Sequence, residues 1–120
     1  MSHIVTISTK VRDTNAISAA CQHLALAAPV HGTAKLFSAQ VSGLLVQLPG
    51  WQYPVVVDPE TGTMQFDNFG GSWGEQKELD RFLQRYAVEV ARQEARRKGH
   101  VFTEQQLDNG NIRVQITEET

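Results

Sequence analysis

The stretch 72–99, SWGEQKELDRFLQRYAVEVARQEARRKG, is the longest segment with unbroken helical periodicity, and it limits what the rest of the chain can form. Leu79, Phe82, Leu83, Tyr86, Ala87, Val90 and Ala91 recur at spacings that share one helical face. Ser72 and Glu75 have the spacing of a capping box, in which two side chains satisfy orphaned N–H groups of the first turn. Gly99 stands where a left-handed residue ends a helix, and Arg92, Arg96, Arg97 and Lys98 oppose the negative end of the helix dipole. A helix of about 24 residues is roughly 36 Å long, enough to cross a small sheet. Such a helix needs an apolar surface to cover, and the remaining segments must supply it.

Residues 3–11 alternate as a strand, with Val5, Ile7 and Val11 on one face. Asp13 or Thr14 caps a second helix that runs to about Ala27, with Ile17, Ala20, Cys21 and Leu24 as its stripe, before Pro29. Short extended runs follow at 33–37, 44–48, 53–57 and 63–66. Pro49-Gly50 and the turn 58–62 separate them. A loop at 67–74 precedes the long helix. Strands at 101–107 and 112–117 flank Asn109-Gly110, a two-residue hairpin signal that pairs Leu107 with Ile112. That register places Phe102 on the opposite face to Ile112, Val114 and Ile116, so a bulge or a second apolar contact near that strand start is expected. The order predicts an α+β fold of one domain, 1–120: an antiparallel sheet with two helices on one face. It fits a ferredoxin-like plan with extra strands and a C-terminal hairpin.

A chain of 120 residues can bury a core without metals or disulfides, and its single cysteine, Cys21, permits no internal bridge. The net charge of −2 argues against a general nucleic-acid binder. The first residues, MSHIVTISTKV, show no basic segment followed by an apolar one, and no apolar run of about 18 residues occurs. A cytoplasmic protein without membrane association is expected.

His3, His23, His31 and His100 form no metal-ligand spacing, and no nucleophile stands in a recognisable arrangement with a base. No cofactor or metal is implied, and no catalytic residue is assigned. Two features stand out. The loop Phe69, Gly70, Gly71, Ser72, Trp73 places glycines before a helix, where backbone N–H groups can meet an anion. It lacks the lysine of a phosphate loop, and its aromatics can instead staple the helix start. Trp51, Tyr53, Phe66, Phe69 and Trp73 gather aromatics that serve either a core or a partner surface.

Met1-Ser2-His3, Thr6 with Arg12-Asp13, the segment Phe82-Leu83-Gln84-Arg85-Tyr86-Ala87, Gly99 and Ile112-Arg113 carry a resemblance across nearly the whole chain. It resembles the uncharacterised family of cyanobacteria and algal plastids called hypothetical chloroplast reading frame thirty-five, a domain of unknown function. The resemblance implies a cytosolic or stromal protein and supplies no activity. The expectation is therefore a non-enzymatic interaction or assembly module with a protein partner or a second copy. The alternative is a small-molecule or anion-binding protein, or an enzyme, using the loop Gly70 to Ser72 with Trp51, Tyr53 and Trp73.

Overall fold

The computed structural model describes residues 5–8, 10–36 and 39–118. Strand β1 (Val5–Ser8) is followed by helix α1 (Thr14–His23) and four strands: β2 (Val30–Lys35), β3 (Gln40–Val46), β4 (Val55–Asp58) and β5 (Thr63–Phe66). Helix α2 (Gln76–Arg97) and the hairpin β6 (Val101–Gln106) and β7 (Ile112–Thr117) complete the chain. The five-stranded sheet runs β1-β5-β4-β3-β2, and every neighbouring pair is antiparallel. The α+β class, with two helices on one face of an antiparallel sheet, is as the sequence indicates. The strand order departs from a ferredoxin-like plan. That plan returns the strand after its second helix to the same sheet, whereas here, among the described residues, β6 and β7 pair only with each other and β1 takes an edge. Short connections make β2 to β5 a meander with β2 and β5 at its two edges, and β1 joins it at β5.

The turns form for local reasons. Trp51 N–H donates to the Leu48 carbonyl at 3.2 Å across Pro49 and Gly50, with Gly50 at φ 73°. In the next turn Glu60 N–H donates to Asp58 Oδ1 at 3.0 Å. Asp13 caps α1 by accepting from Ala16 N–H at 3.0 Å. This helix stops at His23, short of Ala27, because Ala25 turns left-handed at φ 59° and Leu26 N–H reaches back to the Cys21 carbonyl at 2.8 Å. At the end of α2, Gly99 N–H donates to Arg96 and His100 N–H to Ala95, the same closing pattern with the expected glycine.

One core lies between the sheet and both helices. Ile17, Ala20 and Cys21 from α1 meet Leu79, Phe82 and Tyr86 from α2 over Leu44, Val46, Val55, Val57, Met64 and Phe66. The Tyr86 hydroxyl accepts from Arg12 N–H and Asp13 N–H, each at 3.1 Å, and so fastens α2 to the start of α1. A smaller cluster of Ala34, Leu36 and Val56 has Val41, Leu45 and Tyr53 packed against it.

The helical stripe is broader than periodicity suggests. Leu83 and Val90 are half-buried, Ala87 is exposed, and Val88, which lies off the stripe, is buried together with Arg85 and Glu89. Besides the core surface that it shares with α1 and the sheet, α2 has a second packing surface against β6. The capping box does not form. Glu75 occupies the cap position without a side-chain cap bond, and Ser72 belongs to the turn before it. The hairpin also differs from expectation. Leu107 pairs with Asn111 at 2.8 Å, leaving a three-residue loop in which Gly110 alone has positive φ, at 87°. This is a type I turn with a glycine bulge rather than a two-residue type I′ turn. The one-residue shift returns Phe102 to the face of Ile112, Val114 and Ile116, with Phe102 directly opposite Ile116. The expected strand 3–11 does not reach Val11, because Lys10 turns left-handed at φ 58°; residues 3, 4 and 9, and Phe37 of the run 33–37, lie outside the described residues.

Candidate functional site

The structure gathers the aromatic residues but divides them. Trp51 and Phe66 belong to the core, edge-on with ring centres 5.6 Å apart. Gly74 lies against the Trp51 ring so closely that a Cβ there would fall 2.4 Å from it. Trp51 Nε1–H donates to the Glu75 carbonyl at 3.0 Å, and Gln52 N–H to the Trp73 carbonyl at 2.8 Å. The second group is at the surface. Tyr53 meets Trp73 edge-on at 5.6 Å, and Phe69 stacks on Trp73 at 4.7 Å.

Phe69, Gly70 and Gly71 have successive φ values of 47°, 61° and 105°. This left-handed turn spends its donors internally. Gly71 and Trp73 N–H both reach the Asn68 carbonyl, Ser72 N–H reaches Phe69, and Gly74 N–H reaches Gly71. The Phe69 N–H donates to Asp67 Oδ1 at 3.2 Å. The groups at Gly71, Ser72 and Trp73 that an anion would need are turned into the loop.

A different set of polar residues converges between α2 and the hairpin. The Arg85 side chain is only 4% exposed; its Nη1 lies 2.9 Å from Glu104 Oε2 and 3.4 Å from Glu89 Oε1. Arg92 contacts the same two carboxylates, with Nε 3.4 Å from Glu89 and Nη2 on Glu104 Oε1, and its guanidinium sits 4.6 Å above the Phe102 ring. Two cations and two anions thus balance across the helix–hairpin contact. Burial of such a group is tolerable because each charge has a partner. Glu104 reaches it because β6 alternates Phe102, Glu104 and Gln106 on one face.

Beside this cluster, α2 forms the floor of a cleft of about 370 Å³. The end of α1 supplies one wall through His23, Leu24 and Ala25, and the hairpin supplies the other through Gln106, Gly110 and Ile112. Arg81 and Arg85 look into it from successive turns of the helix. Gln84 Nε2 donates to the Gly110 carbonyl at 3.3 Å and holds the hairpin tip against the floor. A second hollow of about 340 Å³ continues past His23 toward Glu89 and Arg92.

Sequence reasoning missed Arg81, Arg85, Glu89, Arg92 and Glu104 as a group. The visible signal is the spacing 85, 89, 92 on one helical face, but opposite Glu104 it acquires meaning only with the correct hairpin register. Among the described residues no group of three or more His, Cys, Asp or Glu is placed to hold a metal ion. No helix among them is long and apolar enough to cross a membrane. No family model, curated protein or solved structure matches the chain.

Proposed function

We propose that this protein is a non-enzymatic assembly module whose docking element is the C-terminal hairpin and whose partner is a second copy of the chain. The observation that carries the reading is the position of β7. Helix α2 packs on β6, leaving Ile112 and Val114 half-covered and Ile116 46% exposed. Among the described residues neither outer edge of the hairpin is paired. An isolated two-stranded hairpin is marginal in water, and an uncovered edge is a template for another strand.

The sequence of β7 suits self-pairing. Its only charge is Arg113. Antiparallel pairing centred on Val114 sets Ile112 against Ile116 and Arg113 against Gln115, so no like charges oppose one another. Two hairpins then make a four-stranded sheet with two-fold symmetry. The contact is small, and a dissociation constant of about 10–100 μM fits an interface at the low end of the size range. The resemblance to a plastid family without a catalytic signature agrees with this reading, and membership of that family is part of the proposal.

Sedimentation equilibrium across this concentration range tests it. The expected result is a monomer–dimer equilibrium that Ile116→Lys abolishes, with the circular dichroism spectrum of the variant unchanged. A protein that stays monomeric at millimolar concentration, or a dimer unaffected by the substitution, would overturn the proposal.

A further inference from the structure

We propose that the cleft between the end of α1, the floor of α2 and the hairpin tip is a binding site for a small organic oxyanion, held by Arg81 and Arg85. The argument begins with Arg85. Both of its ion pairs run through Nη1. The guanidinium is therefore fixed from behind by Glu89 and Glu104, while Nε and Nη2 make no hydrogen bond among the described residues. Arg85 lines the cleft although its side chain is almost wholly buried. A held guanidinium loses little freedom on meeting a ligand, and its planar donors match the two oxygens of a carboxylate or phosphate.

Arg81 lies one helical turn away on the same wall. Its contact with Glu78, at 3.6 Å, involves a side chain 63% exposed, and such a pair is readily exchanged for a better one. Among the described residues no carboxylate lines the cleft, whereas His23 does. The end of α1 would ordinarily repel an anion through its carbonyls. Here the Ala20, Cys21 and Gln22 carbonyls already accept from Leu24, Leu26 and Ala25 N–H. Leu24 and Ile112 give the cleft an apolar side opposite the arginines. The volume lies at the small end of the range for ligand pockets. These features select a compact molecule with one anionic head and an apolar body.

Titration of ¹⁵N-labelled protein with benzoate, phenyl phosphate and the neutral benzamide, at fixed ionic strength, tests this. Amide signals of Leu24, Ala25 and Gly110 should move with benzoate or phenyl phosphate, and the tighter of the two identifies the preferred head group. Benzamide should leave them in place. Arg81→Gln, at an exposed position that folding does not depend on, should weaken binding about tenfold. Arg97→Gln, outside the cleft, should not weaken it. The monomer-forming Ile116→Lys should still bind, which separates this site from the assembly proposal. Signals that stay fixed at about 20 mM oxyanion, far above a millimolar constant, would overturn the inference. So would equal response to benzamide, or unchanged affinity in Arg81→Gln.

Discussion

Glu104→Gln is the sharpest test of how the hairpin is attached. Glutamine keeps the shape of the side chain and removes its charge. In the native cluster Glu104 accepts from Arg85 at 2.9 Å and from Arg92 through its other oxygen. The Arg85 contact is largely sheltered from solvent, and losing a charge-assisted bond of this kind costs about 1.5–3 kcal/mol. The Arg92 contact is more exposed and adds roughly 0.5 kcal/mol after solvent screening. Glu89 remains beside Arg85, so the larger penalty of an orphaned buried charge is avoided. The expected loss is about 2–3 kcal/mol, felt first as opening of the hairpin from α2. Native-state hydrogen exchange should show β6 and β7 amides exchanging roughly 30- to 150-fold faster. Tryptophan emission, to which the buried Trp51 contributes, should report a drop in global stability no larger than this. Glu94→Gln is the control. Its pairs with Arg97 and Lys98 lie in the open, and it should leave hairpin exchange unchanged. Hairpin amides that exchange at the native rate in Glu104→Gln would refute the view that the ion cluster holds the hairpin.

Two other outcomes follow from the core. Tyr86→Phe keeps the ring but strips two N–H groups of their acceptor, and urea melts should show a loss of about 1–3 kcal/mol; a change within error would mean that water satisfies both donors. Burial pushes the Cys21 thiol up from its ordinary value, so the unfolded chain ionises first as the pH rises. Its contribution to stability should be full below the ordinary thiol range and decline above it, and a Cys21→Ala variant should lack that decline in melts followed between about pH 8 and 10.

Local chemistry was legible in the sequence wherever the cause was local. Strand β5 and the turns at Pro49-Gly50 and Asp58 follow from alternation, from proline and glycine, and from an aspartate bonding its own backbone. The closing glycine of α2 follows from its need for positive φ. Long-range choices were not legible. The order strand, helix, four strands, helix suits several topologies, and only the pairing of β1 with β5 separates them. In the hairpin, Asn109-Gly110 signals a turn but not its length. Asn109 Oδ1 accepts from Asn111 N–H at 3.0 Å, which favours the three-residue loop. That single residue moved Phe102 and Glu104 to the inner face. Arg85 and Glu89 lie off the apolar stripe, and nothing in their own segment announces a covering strand. Val88 is buried and Leu83 half-buried for the same reason: the stripe was drawn for one packing surface, and the helix has two.

The edge position of β1 has a consequence for the order in which the chain closes. Strands β2 to β5 pair with sequence neighbours, so each contact costs only a short loop. Pairing Ser8 with Thr63 must bring together residues separated by the whole meander and α1. During synthesis β1 emerges well before β5, the strand it pairs with in the folded sheet. For that interval β1 lacks the strand it pairs with in the folded sheet. When β5 arrives, its outer edge stays unpaired until β1 returns to cover it.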